Sequence, residues 1–324
     1  MNRKVIICLL TAALLSAVPF VEAQQAKKVP RIGLLLQARH SAILEAFRQG
    51  LRELGYVEGR NISIEYRYVE GKVDRLPDLA AELVRLNVDI IVTQSALDAY
   101  AARNATSTIP IVMAASGDAL GTGLVASLAR PGGNVTGLTA LSRELSGKRL
   151  ELLKEVVRGL SRVAVLWNAD NPDKARDLEE IQHEARTLGL QLQSLEVRAA
   201  TDFDRAFRTA TSKGASALLT LADFLTITHE SRIVDLAARS RMASMHEQKE
   251  FVEAGGLMSY GPSFLGLFRA VATYVDKILK GAKPATLPVQ QPMQFEFFIN
   301  LKTANRIGVT IPPEVLMRAD KVIR

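Results

Sequence analysis

Polar side chains gather at the points where short apolar runs give way to helical segments, and those points are where this chain could do chemistry. In the first half they are Gln37 to His40, Gln94-Ser95 after Thr93, and Ser116-Gly117-Asp118. In the second half they are Asn168 to Asn171, Ala222-Asp223-Phe224, His246-Glu247-Gln248 and Tyr260. Backbone N–H groups at such strand-to-helix turns point outward at the positive end of the helix dipole, which suits a carboxylate. Ser95 and Ser116 add hydroxyl donors. Asp223 follows the apolar run Ala217–Leu221, where its carboxylate can meet a ligand ammonium or cap the next helix, and both roles stay open. Phe224, Trp167 and Tyr260 offer an apolar or stacking wall. The expected ligand contacts are Gln37, His40, Gln94, Ser95, Ser116, Gly117, Asn168, Asp223, Phe224, Glu247 and Tyr260.

These groups suit capture better than covalent chemistry. The sequence has no Gly-x-Ser-x-Gly elbow, no Walker loop and no His-Glu-x-x-His. His40, His183, His229 and His246 lie far apart with no ligand spacing, so no metal is expected, and His183 should face solvent. Gly121-Thr122-Gly123-Leu124-Val125-Ala126 formally fits a dinucleotide fingerprint, but it does not follow the first strand and no acidic strand end lies about 20 residues on. It reads as loop and helix-start geometry, and no cofactor is expected. The rival readings are an exported enzyme on the same scaffold and a ligand sensor for a receptor.

The elements that must hold these residues alternate along most of the chain. Strands are expected at Arg31–Leu36, Asn61–Val69, Val88–Thr93, Ile109–Ala114 and Val135–Leu141. Helices are expected at Ile43–Leu54, on the stripe Leu76, Leu79, Leu83, Leu86, and in both gaps between the last three strands. A second series runs through Val163–Trp167, Leu190–Val197, Ala217–Leu221, Ala243–Met245 and Gly256–Ser259. Helix-length crossovers imply parallel sheets covered on both faces. Ser263–Lys280 reads as one long helix, and Pro284, Pro288 and Pro292 mark an extended connector to a strand at Phe295–Asn300. A tail of this kind crosses back to the first lobe and returns, giving three passages of chain through a hinge.

The first 23 residues read as a secretory leader: Arg3-Lys4, an apolar run from Val5 to Val18, and Val21-Glu22-Ala23 before the expected cleavage. The run is short for a membrane span, and no embedded segment is expected. The only cysteine, Cys8, falls inside it, so the mature chain owes nothing to disulfides or thiols. The net charge of +7 falls to +6 with the leader, and basic residues are interspersed with acids, which argues against nucleic-acid binding. The expected organisation is leader 1–23, tether 24–29, an N-terminal lobe of 30–141 plus 262–284, and a C-terminal lobe of 142–261 plus 285–324.

Several motifs carry a family likeness. They are the stretch 47–56 (FRQGLRELGY), Gly59-Arg60-Asn61-Ile62, 128–137 (LARPGGNVTG), 146–154 (SGKRLELLK), Val165-Leu166-Trp167-Asn168, 250–261 (EFVEAGGLMSYG) and 274–284 (YVDKILKGAKP). Together they resemble bacterial ABC-transporter substrate-binding proteins, in the subgroup with tryptophan- and tyrosine-binding members, over nearly all of the mature chain. The resemblance implies a type I periplasmic binding fold, α/β, with two Rossmann-like lobes closing on a solute like a Venus flytrap. It also implies a periplasmic monomer that delivers its solute to a membrane permease with a cytoplasmic ATPase. Many relatives carry small or hydroxyl residues in the first loop and Pro-Asp in the loop at 222–223. Arg39 and His40 depart from that pattern and would favour a different, anionic solute.

Overall fold

The computed structural model describes residues 28–39, 41–142 and 144–324; the expected leader, most of the tether and His40 lie outside the described residues. The first lobe is built from β1 (Arg31–Leu36), α1 (Ser41–Glu53), β2 (Ser63–Tyr68), α2 (Leu76–Arg85), β3 (Ile90–Thr93), α3 (Ala96–Ala105), β4 (Ile111–Ser116) and β5 (Val135–Thr139). Its sheet is parallel throughout, in the order β2-β1-β3-β4-β5. The interior strands are apolar on both faces because helices cover both: Leu34 and Val92 face one buried cluster, Leu35 and Ile91 the other.

The second lobe repeats the plan with α4 (Ser146–Val156), β6 (Arg162–Asn168), α5 (Pro172–Thr187), β7 (Gln191–Val197), α6 (Phe203–Ser212), β8 (Ala217–Thr220), α7 (Phe224–Thr228), α8 (Glu230–Arg239), β9 (Ala243–His246), α9 (Lys249–Glu253) and β10 (Met258–Pro262). The chain then places α10 (Phe264–Leu279) on lobe 1. It returns through β11 (Phe295–Asn300), α11 (Leu301–Ile307), α12 (Pro313–Leu316) and β12 (Lys321–Ile323). The second sheet has the order β12-β11-β10-β9-β8-β6-β7. Among the described residues no helix is long and apolar enough to cross a membrane.

The late helix α10 belongs to lobe 1 for a physical reason. Leu267, Phe268, Val271 and Val275 are buried against α1 and β4, a gross stabilisation of roughly 6–12 kcal/mol by side-chain burial. The two helices approach closely at Gly50, where a Cβ would stand 2.3 Å from the Arg269 carbonyl oxygen. Tyr56 Oη donates to Asp276 Oδ1 at 3.0 Å, and Arg269 forks onto Glu53 at 2.7 and 3.0 Å.

Three expectations need correction. The gap between β4 and β5 holds turns rather than a helix, because Gly117, Gly121, Gly123, Pro131, Gly132 and Gly133 interrupt it. Gly121-Thr122-Gly123 folds on itself, with the Gly121 N–H donating to Asp118 Oδ1 at 2.8 Å. The lobe boundary at 284/285 lies further on. Thr136 Oγ1 donates to the Leu287 carbonyl, and Gln290 exchanges backbone bonds with Gly137 and Thr139, so 287–290 runs beside β5. Finally, the second sheet is not wholly parallel. The chain leaves lobe 2 through β10 and re-enters through β11 at the same hinge, so those strands must run antiparallel. The short closing strand β12 was not foreseen.

Three passages therefore join the lobes, near 140–145, 262–264 and 291–294. The last two touch, with the Ser263 N–H donating to the Gln294 carbonyl. Leu141, on the first, has φ +51°, a left-handed conformation that a γ-branched side chain adopts at a cost.

Candidate functional site

The carboxyl ends of β1, β3 and β4 set one wall of the site. Gln37 follows β1; its N–H donates to Gln94 Oε1 at 3.2 Å, and its amide nitrogen makes a short hydrogen bond to Asp98 Oδ1. Ser95 caps α3, and both its N–H and its hydroxyl donate to Asp98 Oδ2, at 3.0 and 2.9 Å. Asp98, fully buried, is thus the hub that orients Gln37 and Ser95. Burial pushes its carboxyl pKa up to about 7, although the donors from Ser95, Gln37 and Gln94 pull it down. The spacing Ser95-x-x-Asp98 is a capping-box signature that was legible in the sequence and overlooked.

Ser116 ends β4 fully buried. Its carbonyl accepts from Thr139 Oγ1 and the Ala140 N–H, while its hydroxyl meets no partner among the described residues. The Thr93 hydroxyl, at the end of β3, is likewise unpartnered and buried. Gly117 has open space where a Cβ would lie. Arg39 is exposed and rests its guanidinium 4.9 Å from the Tyr68 ring centroid on edge strand β2.

The facing wall is built from β6, β8 and β9. Asp223 caps α7 by accepting from the Leu225 N–H at 2.9 Å, so the capping role holds. Its oxygens also accept from Asn168 Nδ2 at 2.8 Å and from Asn171 Nδ2 at 2.7 Å. The half-buried carboxylate is therefore held by two neutral amides, with its direction fixed. Asn171 additionally caps α5, accepting from the Asp173 N–H.

Glu247 is placed differently from the expectation. It is buried, its Oε1 accepts the Ala222 N–H at 3.0 Å, and its Oε2 lies 3.8 Å from Arg149 Nη2. It holds the 222–224 loop from behind. Tyr260, partly exposed, packs its ring against Phe295 and Phe297, each with centroids 6.1 Å apart. Trp167 is in the core with its indole N–H on Ser194 Oγ, not on a cleft wall. His246 is buried and stacked on Phe251 at 4.5 Å, and its pKa is lowered to about 3 by burial. His183 is exposed.

Arg149, Lys174 and Gly71 were missed. Arg149 and Lys174 are buried cations, and Lys174 pairs with Asp177 at 2.9 Å. Burial would lower the Lys174 pKa, but the charges of Asp177, Glu247 and Asp223 outweigh that and push it up. Arg149 and Lys174 thus stand among the carboxylates of Asp177, Glu247 and Asp223. Gly71 lies in the turn after β2, where the Glu70 N–H continues the ladder onto the Gln37 carbonyl. A Cβ on Gly71 would stand 2.9 Å from Phe224 Cε1, so the ring from one lobe rests on the backbone of the other. The Gly71 φ of +77° favours glycine, and a Cβ there would also press on the ring. Sequence spacing gave no signal for a contact between lobes.

Two lobes joined by three passages, with polar strand ends facing each other across the gap, define a hinged solute-binding protein. The family model for ABC transporter substrate binding protein matches residues 35–323, and the chain belongs to that family. It is 26% identical over 287 residues to a tyrosine-binding protein of Clostridioides difficile, covering 87% of this chain and 82% of that one. Among solved structures, a conserved domain protein of Vibrio cholerae is similar with TM-score 0.85 and 29% identity, covering 91% of this chain and all of the other. A Streptococcus pneumoniae ABC domain in complex with L-Trp is similar with TM-score 0.84 and 27% identity, over 91% and 99%. The fold is the two-lobed type I periplasmic binding fold, and the chain binds a small solute for a transporter permease. Proteins of this family work outside the cytoplasm.

Proposed function

We propose that the solute is an amino acid, gripped by its carboxylate from lobe 1 and by its ammonium from lobe 2. The observation that carries this reading is the Asp223 carboxylate, half-buried beyond β8 and aimed by the Asn168 and Asn171 amides. A carboxylate so placed favours a cationic group and weighs against the anionic solute that Arg39 and His40 suggested. On the opposite wall the Ser116 hydroxyl and the start of α3 supply neutral donors fit for a carboxylate. Gln37, Gln94, Ser95 and Gly117 complete that wall in this reading, and Phe224 supplies an apolar face. The names of two relatives, one tyrosine-binding and one holding L-Trp, make aromatic amino acids the first candidates.

Closure follows because the bound solute touches both lobes, so its binding energy favours the shut form. In this reading the protein is a periplasmic monomer freed from its leader at residue 23. It delivers the solute unchanged to a permease driven by a cytoplasmic ATPase. The lobes divide near 140–145, 262–264 and 291–294.

Calorimetry against the common amino acids and their deaminated analogues tests the reading. One-to-one binding at micromolar affinity or tighter is expected for L-tyrosine or L-tryptophan, with loss of affinity for 3-(4-hydroxyphenyl)propanoate and 3-(indol-3-yl)propanoate. Equal affinity for the deaminated acids would overturn it, and turnover of the solute during titration would make the protein an enzyme.

A further inference from the structure

We propose that the buried Arg149–Glu247 pair ties the solute-facing loop 222–224 to two of the three hinge passages, making Arg149 a positioning residue for lobe closure. Arg149 lies on α4, directly after the first passage, and is 1% exposed. Its Nη1 donates to the Ser142 carbonyl at 2.8 Å, on the first passage. Its Nε donates to the Tyr260 carbonyl at 2.7 Å, just before the second. One planar guanidinium therefore fixes the relative position of two chain segments that must move together when the lobes swing.

The other end of the pair reaches the site. Glu247 stands beside Arg149 Nη2, and its second oxygen receives the Ala222 N–H, one residue before Asp223. Glu247 so links the Ala222 backbone, next to Asp223, to Arg149 through an ion pair at 3.8 Å that is not a hydrogen bond, and Arg149 links on to both passages. The fit is tight: a Cβ on Gly261, beside the second passage, would stand 2.2 Å from the Glu247 carbonyl oxygen. A buried pair serving core stability alone has no need to bridge both a hinge and a binding loop.

This inference rests on the reading that the 222–224 loop faces the solute, so the test separates the two. Spin labels on Asp74→Cys in lobe 1 and Ser231→Cys in lobe 2, both exposed positions, report the interlobe distance in a Cys8→Ser background. Dipolar spectroscopy is run with and without saturating L-tryptophan on the otherwise native sequence, on Arg149→Lys and on Glu247→Gln. Lysine keeps the charge but cannot fork onto two carbonyls; glutamine keeps an acceptor for Ala222 but drops the charge. Both variants should broaden the ligand-free distance distribution, and the closed-to-open ratio should fall at least about fivefold, the low end of usual coupling between sites. Distributions matching the native ones in both variants, whatever their melting temperatures, would reduce the pair to core packing and overturn the proposal. Should Arg149→Lys fail to fold, Glu247→Gln decides. Should neither L-tryptophan nor L-tyrosine move the native distribution, the amino-acid reading fails, while the ligand-free comparison still decides the tie.

Discussion

The two walls of the cleft meet the same demand, holding polar groups at strand ends, with different chemistry. On the lobe 1 wall the buried acid Asp98 is surrounded by neutral donors from Gln37 and Ser95, and the Ser116 and Thr93 hydroxyls are unspent. In lobe 2 a mesh of charges does the work: Arg149, Lys174, Asp177, Asp223 and Glu247. A neutral donor wall accepts an anion without requiring a countercharge to be buried when the solute is gone. A charged mesh can present one acid outward while its neighbours neutralise the rest. The difference gives the cleft a polarity, and with it an expected orientation for a zwitterion.

Breaking the lobe 2 mesh should have the largest effect. Glu247→Ala strands Arg149 in the core and releases the Ala222 amide, so urea unfolding should show a loss of about 3–5 kcal/mol, as for broken buried pairs. Asp98 governs the next effect. Its carboxyl is raised from 3.8 to about 7 by burial, so the folded state binds its proton more tightly than the unfolded state. Its contribution is fully present below pH 3.8 and is lost as the pH rises through 7, an upper bound of about 4 kcal/mol. Asp98→Asn should remove that slope from the stability–pH curve. His246, lowered from 6.5 to about 3, acts oppositely, contributing stability above pH 6.5 that is lost as the pH falls through 3. His246→Leu should flatten the acid side alone.

Affinity sharpens the comparison further. Asp223→Ala should weaken an amine-bearing solute by about 2 kcal/mol or more and leave its deaminated analogue unchanged by calorimetry. Equal losses for both would mean that Asp223 acts only as a cap. The smallest effect belongs to Phe224→Ala, which removes one ring from one contact across the lobes. Stopped-flow release should quicken only severalfold, in keeping with about 1 kcal/mol of lost packing.

The fold was legible where one element carries its own pattern. Arg31–Leu36 has the expected ends, because an apolar run bounded by charge and polar turn residues states its own limits. What escaped was set by partners distant in sequence. Glu247 sits at a strand end like any solute contact, and only Arg149, on another element, explains why it faces inward. Trp167 looked like a stacking wall until Ser194 took its indole N–H. The glycines between β4 and β5 were read partly as a helix start because each tolerates a helix singly, whereas their density does not. Gly71 carried no pattern, since its reason is a phenyl ring on the other lobe.

The station of α10 on lobe 1 also bears on how the chain comes to be assembled. The first lobe's strands are synthesised early, yet the helix that seals one of their faces ends at Leu279 and the segment flanking β5 comes later still. Until then a broad apolar face stays bare, and the loop to be closed spans most of the polypeptide, which makes native collapse slow. During that interval the bare face is the part of the chain most exposed to aggregation.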